Sequence, residues 1–341
     1  MKNNESLTVG KVPPELLEQI VFSRLGYPRK EVVLRPAIGE DTAALDLADE
    51  LLLASTDPIT GAEDKAGWLA VKVAINDIAA TGGEPVCILV TLLLPETALL
   101  SDLEQIINDI NDACVEEGVQ VAGGHTEVTP GLRQPIISVT ALGKTRNRRV
   151  LSSSNAQVGD DIVVTKWAGM EGTSILVRDF PEVFEGVLDE VALEQAKDLF
   201  SMISVTLDGK IAAEAGANAC HDATEGGVLG AIYELCQASG LGAVIYADKI
   251  PVLPVTLKVA EFCRIDPLRL ISSGCLVVTA PDGEELCEAY RKAGVNATVV
   301  GKIVPEGREV VQSGQRFALS SPGPDHLWLA RRYLESITQG R

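Results

Sequence analysis

Four acidic residues, Asp41, Asp57, Asp77 and Asp222, each break an otherwise apolar pattern inside a short polar or glycine-rich signature, and they constrain the fold more than any other feature. The signatures are Gly39-Glu40-Asp41-Thr42-Ala43, Ser55-Thr56-Asp57-Pro58, Asn76-Asp77-Ile78-Ala79-Ala80-Thr81-Gly82-Gly83-Glu84-Pro85 and His221-Asp222-Ala223-Thr224-Glu225-Gly226-Gly227. A fifth, Gly123-Gly124-His125-Thr126-Glu127, carries no Asp. Taken singly, each Asp reads as a turn or cap residue. Taken together, they recur at the ends of apolar segments too regularly for that, and a buried cluster of carboxylates is costly without cations. Asp41, Asp57, Asp77 and Asp222 are therefore the expected metal site. Hard oxygen donors suit Mg²⁺, which keeps several waters and binds through a few carboxylates plus phosphate oxygens, and this points to ATP.

At 341 residues the chain exceeds what a single core comfortably supports, so two domains are expected. Apolar residues at 46% and charged residues at 23% are ordinary for a globular protein. The formal net charge of −19 argues against nucleic acid or an anionic membrane surface as partner, since both demand a basic footprint. It does not argue against ATP, because a metal ion bridges carboxylates to phosphate. The seven cysteines form no C-x-x-C pair, and most fall in apolar segments, which suits reduced core residues. The start, Met-Lys-Asn-Asn-Glu-Ser, is not a signal peptide and no run reaches the ~18 apolar residues of a membrane span, so a cytoplasmic location is expected.

Helical spacing predicts an amphipathic helix over 14–25. Strands are predicted at 43–47 and 51–55, the second delivering Thr56 and Asp57 at its end. Ala70, Val73, Ala74, Asp77 and Ile78 share one face of a predicted helix over 67–81 that stops at Gly82 and Gly83. Asp77 thus sits on a largely apolar face. A strand at 87–94 leads to a helix with Ser101 as N-cap and Glu104 completing a capping box. Strands at 119–122 and 135–143 follow, then a polar stretch that sets the domain boundary near residue 155. The second half, 156–341, alternates strands at 161–165, 243–247, 272–280 and 299–304, the last closing the sheet, with helices near 173–179, 188–205, 226–239 and 283–293. This pattern is an α/β or α+β layered architecture in both halves.

Two superficially suggestive motifs carry nothing. Gly143-Lys144-Thr145 follows a strand as a phosphate-loop lysine does, but Ser138 stands where the first glycine must be. Gly240-Leu241-Gly242 lacks the third glycine of a dinucleotide fingerprint and reads as a helix cap. The pair Gly123-Gly124 lets backbone N–H groups approach phosphate, and Thr126 adds a hydroxyl. His125 fits phosphate binding or proton transfer as well as it fits a turn histidine, and His326 reads as structural. The Lys144, Arg146, Arg148, Arg149 cluster reads as a solvated loop or, in so acidic a chain, a receiver of anions.

The signatures over 76–85, 123–127 with Pro130-Gly131, and 222–227 carry a family likeness spanning nearly the whole chain. Their order resembles the superfamily of aminoimidazole ribonucleotide synthetase, thiamine-monophosphate kinase, selenophosphate synthetase and the hydrogenase maturation factor HypE, with a HypE-like branch nearest. The resemblance implies a two-domain PurM-like fold: an N-terminal AIR synthase-like domain over 1–155 whose sheet pairs with a second subunit into a barrel, and a C-terminal α/β domain over 156–341. It implies a homodimer, ATP with Mg²⁺ in the cleft, and metal–nucleotide binding by Asp41, Asp57, Asp77 and Asp222. Gly39, Thr56, Asn76, Gly123, Gly124, Thr126 and Thr224 are the expected nucleotide contacts, and His125 and Glu127 the expected proton-transfer groups. HypE proteins end in a cysteine that receives a carbamoyl group, whereas this chain ends Ile-Thr-Gln-Gly-Arg with Cys287 its last cysteine, and no cysteine precedes Cys87 where selenophosphate synthetases need one. The function expected is Mg²⁺-dependent phosphoryl transfer to, or ATP-driven activation of, an oxygen on a small substrate. The rival is a nucleotide-binding hydrogenase-maturation or assembly partner with no turnover of its own.

Overall fold

A computed structural model of the chain describes residues 14–16, 18, 32–34, 37–40, 42–46, 50–59, 65–145 and 147–338. Asp41, Arg146 and most of the helix predicted over 14–25 lie outside these residues; of that helix only the turn Pro14–Leu16 is described.

The first domain is a six-stranded sheet in the order β1-β2-β3-β6-β4-β5. Its strands are β1 (Val32–Leu34), β2 (Ala43–Asp46), β3 (Leu51–Ile59), β4 (Glu84–Leu94), β5 (Gln120–Val128) and β6 (Ile136–Lys144). All neighbours are antiparallel except β4 and β5, which are parallel and joined by the crossover helix α2 (Leu100–Glu117). A parallel pair needs such a crossover because a tight turn cannot reverse the chain twice. Helices α1 (Ala66–Ala80) and α2 cover one face. The other is open, with Thr56, Pro58, Val86, Leu89 and Thr91 exposed along it. Helix α2 starts after Leu99, not at Ser101: the Leu99 N–H donates to the Asp102 carboxylate at 2.8 Å, so Asp102 takes the role assigned to Glu104.

The strand expected over 119–122 does not stop before the glycine pair but runs on through it. Gly123 and Gly124 lie inside β5, after a register shift opposite Ile88 and Leu89. The reason is contact with β4: Gly124 has φ 149°, and a Cβ there would stand 2.0 Å from the Val90 carbonyl oxygen. The glycine permits the close approach of two strands.

The second domain is a seven-stranded sheet in the order β13-β12-β9-β11-β7-β10-β8. The strands are β7 (Asp161–Thr165), β8 (Ala219–Asp222), β9 (Gly242–Tyr246), β10 (Leu276–Ala280), β11 (Ala297–Val304), β12 (Arg308–Gln312) and β13 (Gln315–Ala318). The strand predicted over 299–304 does not close the sheet; β11 is interior, and the hairpin β12–β13 extends the sheet beyond β9. The helix predicted over 188–205 is two segments, α4 (Glu190–Asp198) and a tight turn Leu199–Met202, with α5 (Thr206–Glu214) following. The remaining helices are α3 (Met170–Asp179), α6 (Gly227–Ser239), α7 (Pro254–Cys263), α8 (Gly283–Lys292) and α9 (His326–Thr338). Alternation along β7 decides which helices cover which face: Ile162 and Val164 pack with α6, Val163 with α5 and α8.

Helix α1 is buried nearly all round, as a helix clasped between two domains must be. One continuous apolar cluster runs from Leu92 on the first sheet through Leu69 and Ile75 of α1 into Leu176, Phe184 and Phe200 of the second domain. Trp68 and Phe200 pack with ring centroids 5.3 Å apart. All seven cysteines are free thiols, six of them buried and Cys87 half-buried.

Candidate functional site

Strand alternation sorts the predicted residues of β3. Ser55 and Asp57 share the face that packs on α1, while Thr56 points to the open face and its hydroxyl meets Thr140 at 2.9 Å. Asp77, 8% exposed on α1, accepts a short hydrogen bond from the Ser55 hydroxyl. Asp57, Ser55 and Asp77 are thus one oxygen-rich patch. Asn76 has another task. Fully buried, it donates from Nδ2 to the Ile203 carbonyl at 2.8 Å and accepts from the Val205 N–H at 2.9 Å, clamping the second domain to α1. Its amide faces protein, not a ligand cleft.

The first and last signatures converge at the domain junction. Gly39 is buried against the Glu234 carbonyl on α6, and Glu40 accepts hydrogen bonds from the Ser152 hydroxyl and the Ser154 N–H. Ser153 in turn donates to the Cys220 carbonyl on β8, whose last residue is Asp222, 2% exposed. Next to it, His221 Nε2 lies 3.1 Å from Glu234 Oε2, both buried. Helix α1 packs on β8 as well as β3, so the Asp77 and Asp222 signatures flank the same junction. Thr224 is half-buried, and its carbonyl accepts from the Gly227 N–H at the start of α6.

The fifth signature stands apart. β3 and β5 are three places apart in the sheet, on the order of 14 Å at ~4.8 Å per strand. Register aligns Asp57 with Val139, Val90 and Gly124, and Pro58 with Ser138, Thr91 and His125. Since Val139 and Val90 are buried under the helices, Gly124 falls on the covered face and His125 on the open one. Gly123, Gly124, His125 and Thr126 rim a groove of about 540 Å³ between β5 and the apolar residues Ile107, Cys114 and Val115 of α2. Glu127 accepts from the Thr129 hydroxyl at 2.8 Å and lies 3.1 Å from His125 Nε2. The Thr129 and His125 hydrogen bonds hold its carboxyl below the usual range.

Several further buried or partly buried charged residues lie at or near the domain junction, and one of them, Asp325, holds the glycine loop. Asp325, 1% exposed, accepts from the N–H groups of Gly226 at 2.6 Å, Leu327 at 2.7 Å and Ile271 at 3.2 Å, so it ties the loop before α6 to the start of α9. Burial raises its carboxyl to about 6 against these bonds. Glu171, in the first turn of α3, accepts from the Ser273 N–H, and burial pushes it up to about 7. Lys166 follows β7 with φ 52° and donates to Asp208 at 2.9 Å and to the Ser204 carbonyl at 2.6 Å. The basic cluster is largely engaged: Lys144 lies 3.9 Å from Glu84, Arg148 pairs with Asp46 and Arg149 donates to the carbonyls of Gly216 and Ala217. His326 accepts from the Asp266 N–H at 2.9 Å.

Among the described residues no three His, Cys, Asp or Glu side chains converge on one metal position, so the expected four-carboxylate cluster is not formed by Asp57, Asp77 and Asp222 within one protomer. This donor set still fits Mg²⁺ with a nucleotide, because Mg²⁺ is usually held by one or two carboxylates and completed by phosphate oxygens and water. Asp57 and Asp77 offer such a pair on one face. No helix among the described residues is long and apolar enough to cross a membrane.

A Methanocaldococcus jannaschii protein named provisionally for hydrogenase expression/formation is 28% identical over 312 residues, covering 89% of this chain and 90% of its own. Carbamoyl dehydratase HypE of Cupriavidus necator is 28% identical over 293 residues, 82% of this chain and 81% of that protein. Among solved structures, a chain of the HypE–HypF complex superposes with a TM-score of 0.74 at 21% identity, covering 90% of this chain and 99% of that one. AaThiL complexed with AMPPCP and TMP gives 0.73 at 23% identity, covering 94% and 100%. Two mixed sheets in a two-domain PurM-like fold are what these superpositions share. With residues 39–145 matching the N-terminal domain and 157–314 the C-terminal domain of the AIR synthase related proteins, the chain belongs to that family.

Proposed function

We propose that this protein is a Mg²⁺-dependent, ATP-using enzyme that transfers the γ-phosphoryl group to an oxygen of a small substrate or activates that oxygen for a later step. The observation that carries the reading is the Asp57–Ser55–Asp77 patch: two carboxylates on one face, one of them buried and oriented by a hydroxyl, in a family whose relatives include HypE and whose structural neighbours include a chain complexed with AMPPCP. When bound, Mg²⁺ neutralises phosphate charge and holds the reacting group in line. Asp57 and Asp77 are the proposed ligand pair, Asp41 and Asp222 are proposed to meet the metal–nucleotide from the domain junction rather than in one cluster with them, and the apolar groove beside Gly123, Gly124 and Thr126 is the proposed seat for part of the nucleotide. His125 and Glu127, 3.1 Å apart on the open face and three strands from Asp57, are the proposed proton-transfer groups for a site completed by a second copy of the chain.

Homodimerisation belongs to the same reading. All nine residues of β5 are exposed at a sheet edge, and Val86, Leu89, Val121 and Val128 add apolar surface nearby. A long exposed edge of this kind calls for a covering partner. The HypE–HypF complex supports a maturation protein as a further partner.

Calorimetry of ATP binding with and without Mg²⁺, on wild type and Asp57→Asn, tests the site. Binding that requires Mg²⁺ and is lost in the variant, with the melting temperature retained, is expected. Unaltered binding by Asp57→Asn would remove that residue from the site, and bound ATP without ADP release in the presence of acceptors would favour a non-catalytic assembly partner.

A further inference from the structure

A second cavity, of about 530 Å³, lies at the opposite end of the second sheet from Asp222. The strand directions fix this. β8 and β7 end where β10 and β11 begin, on the Asp222 side, whereas β11 ends and β9 and β12 begin on the other side, at Val304, Gly242 and Arg308. Leu241, Pro305 and Leu319 give it apolar surface, and its polar side chains are Tyr233 of α6, Glu306, Arg308 and Ser321.

Arg308 decides the chemistry. Its guanidinium lies 4.5 Å from the centre of the Tyr233 ring, and among the described residues no carboxylate pairs with it. In this chain of 48 acidic and 29 basic residues, Arg148, Arg291 and Arg316 all have acidic partners. Glu306 also lines the cavity but stays exposed and forms no ion pair with Arg308. A guanidinium stacked on an aromatic ring is held in place while its N–H fork remains ready for a planar or tetrahedral oxyanion.

We infer that this cavity binds a small organic anion, its phosphate or carboxylate group taken by Arg308 with the hydroxyls of Tyr233 and Ser321 close by, and its apolar or aromatic body seated on Leu241, Pro305 and Leu319. The site is separate from the proposed nucleotide site and does not depend on it. Titration of the full-length protein with phenyl phosphate and with benzoate, followed by calorimetry and by ligand-observed NMR, tests it. Saturable binding is expected to at least one of them, retained in Asp57→Asn and weakened roughly tenfold or more in Arg308→Gln, with Arg308→Lys in between because it keeps the charge and loses the fork. Preference for phenyl phosphate identifies a phosphate ester as the ligand class, and preference for benzoate a carboxylate. Absence of saturable binding to wild type, or equal affinity in a folded Arg308→Gln, overturns the inference.

Discussion

Replacing Asn76 by Ala should loosen the junction between the domains. The side chain is fully buried, and both of its polar ends are used: one satisfies the Ile203 carbonyl at 2.8 Å, the other the Val205 N–H at 2.9 Å. Alanine leaves both backbone groups buried and unsatisfied, at ~1–3 kcal/mol each, so a loss of about 4 kcal/mol is expected. With ~2.1 cal/mol/K per residue over 341 residues, the unfolding entropy is roughly 0.7 kcal/mol/K, and the melting temperature should fall by about 6 °C if the chain unfolds as one unit. The shared core around Trp68 and Phe200 is the reason to expect one unit. Differential scanning calorimetry measures the shift, and amide exchange at Val205 should accelerate more than exchange in β11. Asn76→Asp is the sharper variant, since it keeps the shape but turns a carboxylate oxygen toward the Ile203 carbonyl, and it should destabilise at least as much. A melting temperature within about 1 °C of wild type in both variants would refute the clamp and return Asn76 to the list of nucleotide contacts.

Stability should also depend on pH through Glu171. Burial raises its carboxyl from 4.5 to about 7, so the folded chain keeps a proton that the unfolded chain releases between those values, and stability falls as pH rises through that window. The contribution is on the order of 3 kcal/mol. Urea melts at pH 5 and pH 8 should show a slope that Glu171→Gln reduces and that Asp325, raised to about 6, partly retains; an unchanged slope would contradict the assignment. Gly209→Ala should be the most disruptive single-methyl change at the α1–α5 crossing, because the added Cβ would stand 1.9 Å from the Ala79 carbonyl oxygen. Soluble protein with wild-type stability by circular dichroism would show that the helices separate more readily than their packing implies.

Much of the architecture was legible because it depends on local pattern. The helix predicted over 67–81 is observed as Ala66–Ala80, and the strand over 161–165 coincides with β7. The apolar stripe and the Gly82 stop are properties of adjacent residues, as is the helix after the His221 signature. Where a segment's conformation depends on a distant neighbour, the reading failed. Gly123 and Gly124 look like a turn until β4 lies against them, and Leu199–Met202 looks helical until Asn76 and Lys166 hold residues 203–205 in place. The hairpin β12–β13 leaves little trace in the sequence, since its strands are short and mostly polar or exposed.

The same division runs through the candidate site. Sequence by itself singled out the residue types proposed to carry the chemistry, because glycine-flanked acids at the ends of apolar runs have few other uses, and it determined the family through the order of those signatures. Tertiary structure alone decided their grouping. Side chains alternate along a strand, so Thr56 and Asp57, adjacent in sequence, face opposite sides of the sheet, and so do Gly124 and His125. Strand order sets the rest: β6 and β4 intervene between Asp57 and His125, while α1 and β8, more than a hundred residues apart, place Asp77 and Asp222 at one junction. Spacing along a chain records none of this, because pairing across a sheet and packing between domains are set by long-range complementarity of surfaces, which no local window contains.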